Sequence, residues 1–184
     1  QEVQFFVAIL GASQYTYAEA SMSQKKEDFV QSVENAMRFY EGVPAAVVPD
    51  NLKSAVTKAS KYEALLNENF ASFAEHYNTF GFPTRTYKPK DKALVEGAVK
   101  IIYTAIFAKL DQVVYHTIED INKDIIIHLN THNNNKLTGE NYSRMQQFLE
   151  FEQQTLKPLN PYLFELMTLQ ISTVNKYGHV LLSA

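Results

Sequence analysis

Residues 3–10, VQFFVAIL, form a nearly continuous apolar run near the start of the chain. The run is too short for a buried helix, and its Phe, Val and Ile content fits a strand covered on both faces. Gly11-Ala12-Ser13 turns the chain, and residues 15–19 return as the second strand of a hairpin. A chain that opens inside a sheet must then cover that sheet. Phe29, Val30, Val33, Met37 and Tyr40 recur at helical spacing, with Ser21 or Ser23 as cap and Glu27 and Asp28 near the positive end. Gly42 and Pro44 end this helix, and residues 45–48 read as a short buried strand stopped by Pro49-Asp50-Asn51.

Residues 52–64 lack periodicity and read as a loop carrying Lys53, Lys58 and Lys61. A helix is predicted over 67–77 with Phe70, Phe73, Ala74 and Tyr77 on one face, then a strand over 84–88. Pro89-Lys90-Asp91 leads into a long helix over 92–110. Its buried side is assigned to Leu94, Val95, Ala98, Val99, Ile101 and Ile102, while Lys92, Glu96, Lys100 and Tyr103 share another stripe. The alternation of strand and helix predicts an α/β fold. A helix over 118–130 follows, opened by Thr117, then a polar breaker over 133–139 and an amphipathic helix over 143–156. Residues 167–183 alternate around Asn175-Lys176-Tyr177-Gly178 as a hairpin, marginal by itself and read as the start of a second domain. The expected division is 1–138 and 139–184.

The chain has no cysteine, which removes disulfide frameworks, thiolate metal sites and a Cys nucleophile together. No apolar run reaches transmembrane length, and no basic segment precedes the first apolar stretch, so neither a membrane span nor a secretory signal is expected. The net charge of −3 argues mildly against a dedicated nucleic-acid binder, but the charge is uneven. Residues 50–100 carry a local +2 and the remainder −5, so any polyanion contact belongs to the middle of the chain.

Asp50 and Glu96 are the most informative pair. Asp50 sits just past the carboxyl end of a predicted buried strand, where open α/β sheets place their ligands. Glu96 falls on the first turns of the helix after the next strand, flanked at four residues by Lys92 and Lys100. Two such carboxylates would suit Mg²⁺, with the lysines meeting phosphates. As residues alone they also fit a turn acid and a surface acid between lysines. His128 and His132 have zinc-ligand spacing, but position 129 is Leu and no third ligand is near. Tyr15 and Tyr17, with Phe5 and Phe6, read as sheet packing ahead of a base-stacking platform. No glycine-rich phosphate loop and no Gly-x-Ser-x-Gly occurs.

The run from Phe6 to Ala20 (FVAILGASQYTYAEA) resembles the second and third strands of IstA-type transposases of bacterial insertion sequences. Gly42-Val43-Pro44, the stretch Val47-Val48-Pro49-Asp50-Asn51-Leu52-Lys53 and the stretch Pro89-Lys90-Asp91-Lys92-Ala93-Leu94-Val95-Glu96 resemble the same family in the same order. The resemblance implies an integrase catalytic core, an RNase H-like mixed sheet flanked by helices, with an Asp, Asp, Glu metal-binding triad. By it, Asp50 and Glu96 are the second and third carboxylates, with 45 residues between them. The first Asp falls on an opening strand before this segment. The chain is therefore expected to lack the first strand and to end in a linker helix and a β-hairpin stub.

The implied chemistry is cleavage and joining of DNA strands in transposition and recombination, with two Mg²⁺ or Mn²⁺ ions clamping the attacking and leaving oxygens. Lys53, Lys88, Lys90, Lys92 and Lys100 are the expected DNA-backbone contacts, Lys100 by its place one turn after Glu96. Asn51 either donates to a phosphate or caps its turn. Implied partners are DNA ends and target, an AAA+ ATPase helper and further copies of the chain, in the bacterial cytoplasm and with no membrane. With one carboxylate outside it, the fragment is expected to be inactive alone. The alternative is a non-catalytic DNA-binding or protein-interaction module that keeps the fold.

Overall fold

The computed structural model describes residues 2–49, 56–59, 64–66, 68–81, 97, 99–166 and 176–177. Strand β1 (Gln4–Ile9) pairs antiparallel with β2 (Thr16–Ser21), in a register that sets Phe6 opposite Glu19 and Ala8 opposite Tyr17. The alternation of side chains across the sheet then sorts the two faces. Phe6 and Tyr17 face helix α1 (Lys26–Phe39), where Phe6 meets Phe29 edge-on at 6.1 Å and Tyr17 meets Phe39 at 5.2 Å. Phe5 points to the opposite face and stacks on Phe107 with centroids 3.9 Å apart.

The apolar positions of α1 are buried as the sequence predicts. Its start differs, because the N-cap is Lys25, with no side-chain cap. Ser23 instead accepts from the Lys25 backbone N–H and donates to the Asp28 carboxylate. Its end also differs. Glu41, at φ 56°, takes the left-handed position after the helix, with Glu41 N–H bonded to the Arg38 carbonyl and Gly42 N–H to the Met37 carbonyl. Gly42 is needed for close approach instead: a Cβ there would lie 2.6 Å from Leu156 Cβ. Val43 and Lys157 exchange two backbone bonds of 2.9 Å beside it, so the 156–157 backbone is held. Gly42→Ala is expected to lower stability by about 1–3 kcal/mol, a drop of several degrees in thermal midpoint. An unchanged midpoint would mean that this strap yields freely.

β3 (Ala46–Val47) is shorter than predicted and its flanks, Ala45 and Val48, are exposed. It pairs in parallel with β6 (Phe80–Gly81). The stretch read as a loop, 52–64, holds β4 (Val56–Ala59), which pairs antiparallel with β5 (Ala64–Leu66) at its end. Helix α2 (Glu68–His76) follows, and Phe70, Phe73 and Tyr77 pack with α1's Phe29, Val33 and Met37 in a second core. The strand predicted over 84–88 lies outside the described residues, as does the 167–183 hairpin apart from a turn at 176–177.

Helix α3 comprises helical residues 99–102, a π-turn Tyr103–Phe107 and a last turn Ala108–Leu110. Its buried side is Ile102, Ile106, Phe107 and Leu110. Val99 and Ile101, assigned to that side from sequence, are 42% and 48% exposed. Ile101 points about 100° away from Ile102 around the helix. Helix α4 (Ile118–Asn134) begins at the predicted Thr117 cap but runs one turn further than predicted. Helix α5 (Arg144–Gln147) opens with a Ser143–Gln146 capping box and continues as a π-turn (Phe148–Glu152) and a 3₁₀ turn (Gln153–Thr155). Phe148 stacks on Tyr15 at 4.5 Å, joining α5 to the sheet.

The outer edge of β2 is closed by side chains. Asn133 accepts from Thr16 N–H (3.1 Å) and donates to Thr16 C=O (2.8 Å), and Asn122 makes the same pair with Ala20 (2.7 and 3.1 Å). Asn122, Ile125, Leu129 and Asn133 lie on one stripe of α4, so the two amides stand about 16 Å apart along the helix. Thr16 and Ala20 are about 13 Å apart along the strand. Helix α4 therefore acts as the neighbour of β2. Among the described residues the strands form three two-stranded sheets, β1–β2, β3–β6 and β4–β5, with α1 on one face of β1–β2 and Phe107 of α3 on the other.

Candidate functional site

β3 and β6 run in parallel, so both deliver the chain to the same end of the sheet. Past Val47 come exposed Val48 and buried Pro49, and the next residue in sequence is Asp50. Asp50, Asn51, Lys53, Lys88, Lys90, Lys92 and Glu96 all lie outside the described residues. The described residues next to them in sequence are Pro49, helical Gly97 and exposed Lys100.

Lys100 and Tyr103 share the exposed stripe predicted for this helix, with Tyr103 57% exposed. The Lys100 carbonyl accepts from Thr104 Oγ1 at 3.1 Å, inside the π-turn. Tyr103 meets Phe107 edge-on at 6.3 Å, and Phe107 is stacked on Phe5 of β1, so this part of α3 is tied to the sheet by rings.

Other polar groups that resemble site residues are structural. Burial pushes the His132 imidazole down to about 4, helped by the nearby Arg144 guanidinium, so this ring is neutral at neutral pH. Its backbone carbonyl accepts from Arg144 at 3.4 Å. Among the described residues no group of three or more His, Asp or Glu is placed to hold a metal ion. Tyr15 and Tyr17 are core residues, at 5% and 7% exposure. Burial raises both phenols, and Tyr17 also donates to Glu19 at 2.5 Å. Glu34, 2% exposed on α1, accepts from the Tyr77 hydroxyl (2.7 Å) and from Arg38 (2.9 Å), which pins α2 to α1. The Glu152 carboxylate accepts from the backbone N–H of Ala12 and Ser13, fixing the β1–β2 turn. Sequence reasoning passed over Asn122 and Asn133, although two amides on the apolar stripe of α4 are a signal of buried polar pairing.

The chain is 42% identical over 177 residues to "Putative transposase y4bL/y4kJ/y4tB" of Sinorhizobium fredii, covering 96% of this chain and 34% of that protein. The "Putative transposase for insertion sequence IS408" of Burkholderia multivorans is 35% identical over 182 residues, 97% of this chain and 35% of that protein. This chain is homologous to insertion-sequence transposases. It spans about a third of the length of these curated relatives. No family model matches it.

Among solved structures, the catalytic core domain of BIV integrase superposes with a TM-score of 0.62 at 12% identity, covering 83% of this chain and 90% of that one. The HTLV-2 integrase catalytic core in complex with magnesium gives 0.58 at 16% identity, covering 80% and 92%. The transposase homologue therefore has the α/β, RNase H-like fold of an integrase core. Among the described residues no helix is long and apolar enough to cross a membrane.

Proposed function

We propose that this chain is the catalytic-core segment of a transposase that cleaves and joins DNA strands by metal-assisted phosphoryl transfer. The observation that carries it is the match to transposases over nearly the whole chain, together with an acid, Asp50, just past the end of β3. Asp50 and Glu96 are hard oxygen donors, a set that fits Mg²⁺ or Mn²⁺ and not a softer metal. When bound, two such ions supply Lewis acidity at the attacking and leaving oxygens of an in-line displacement. The chain's own part is to hold that pair from a strand end and a helix. Lys53, Lys88, Lys90, Lys92 and Lys100 position the DNA backbone, and Asn51 shapes the turn or donates to a phosphate.

The first carboxylate of the triad is assigned to a strand outside these 184 residues. The sheet has an edge suited to it. With the outer edge of β2 taken by Asn122 and Asn133, ladder alternation turns the backbone groups of Phe5, Val7 and Ile9 to the far side of β1. Among the described residues β1 pairs with β2 alone. In this reading residues 1–138 are the core, and 139–184 are a linker helix and the start of a small β-domain. The 184 residues by themselves are inactive. The extended protein works as a homo-oligomer with an AAA+ helper on DNA in the bacterial cytoplasm. A non-catalytic DNA-binding or protein-interaction module is the second reading, favoured by the first Asp falling outside these 184 residues, whereas Asp50 and Glu96 favour a catalytic parent.

The test is cleavage of DNA carrying the element's ends by the chain extended to its relatives' length. Strand cleavage that needs Mn²⁺ or Mg²⁺ and stops with EDTA is the expected result. DNA binding without cleavage at any divalent concentration would favour the second reading.

A further inference from the structure

Three rings on the α3 face of the sheet form a continuous ledge beside Lys100. Phe5 lies flat on Phe107 at 3.9 Å and an interplanar angle of 20°, and Tyr103 abuts Phe107 at 82°. Phe107 is buried, whereas Phe5 is 40% and Tyr103 57% exposed. An exposed ring fixed by a buried one is held ready for a flat partner, and it loses little side-chain freedom when that partner arrives. Tyr103 is three residues, just under one helical turn, from the Lys100 side chain. A cation and an aromatic face at this spacing match a phosphate and its own base, the combination used by single-strand binding surfaces.

From this geometry we infer that Tyr103, backed by Phe107 and Phe5, stacks on an unpaired base of the DNA strand whose backbone Lys100 contacts. The inference rests on the transposase reading and adds a positioning residue to it. Tyr103 orients the strand and does not touch the reacting atoms. Stacking accepts every base, so this contact selects frayed or single-stranded DNA over closed duplex and carries little sequence preference.

The chain has no tryptophan, so Tyr103→Trp places a single indole on the ledge. Its emission should be quenched by a duplex with an unpaired 3′ end and much less by a blunt duplex. Tyr103→Ala should weaken binding of the frayed duplex about 5- to 100-fold and leave the slope of log affinity against log salt unchanged. Lys100→Ala should reduce that slope by about 1. Tyr103→Phe should keep near-native affinity, and unchanged circular dichroism in all four variants would show that folding is intact. Equal binding of frayed and blunt duplex by Tyr103→Ala and native chain overturns the inference while leaving the transposase reading standing. No DNA binding by any form overturns the inference, while the transposase reading is tested separately by cleavage with the extended chain. Emission that ignores DNA but shifts with protein concentration, alongside a dimer in sedimentation, overturns the inference and makes the ledge a contact between copies.

Discussion

Asp50→Asn, made in the protein extended to its relatives' length, is expected to reduce strand joining at least about a thousandfold while DNA binding survives. The amide keeps the size of the carboxylate but removes its charge and one anionic oxygen. A hard divalent ion held by few carboxylates loses much of its binding energy with either change. If the ions supply several kcal/mol of charge stabilisation in the transition state, loss of one ligand is worth three or more factors of ten. Glu96→Gln should match it, because in this reading the two residues act as a unit, and the double variant should be little worse than either. The measurement is joining of a labelled DNA end to target, with binding followed separately by gel shift. Unchanged joining would overturn the site assignment. Equal loss of binding and joining would mean that the residues support structure and not chemistry.

Asn133→Ala is expected to lower folding stability by about 2–5 kcal/mol, a large part of the roughly 5–15 kcal/mol available to a domain. The Asn133 side chain is 1% exposed and satisfies both backbone groups of Thr16, itself 1% exposed. Its removal leaves a buried N–H and a buried C=O with no water to replace the amide. Asn122 makes the same pair with Ala20 from a half-buried position, so Asn122→Ala should cost about 0.5–1.5 kcal/mol. Asn133→Ala also uncovers the edge of β2, and aggregation on heating should rise with it. Urea midpoints of the two variants settle the order. A loss at Asn133 no larger than at Asn122 would show that α4 holds the strand through Ile125 and Leu129 and that the amides are incidental.

The two predictions draw on different kinds of information. Asp50 and Glu96 are assigned from sequence alone, through three family motifs that occur in order around them. Their mutual geometry was never in the sequence, and both lie outside the described residues. The pairs made by Asn133 and Asn122 join residues 117 and 102 positions apart, and no local pattern encodes such a contact.

Local periodicity determined β1, β2 and the buried faces of α1 and α2, since alternation and 3.6-residue spacing are properties of short segments. The Thr117 and Ser143 caps were equally local, being contacts of three residues. Tertiary structure alone decided the rest. It set Glu41 in the left-handed position while Gly42 makes room for Leu156, and it left Val99 exposed. It turned Tyr103 outward against Phe107. In each case the deciding contact comes from another element, and its energy depends on where that element lies.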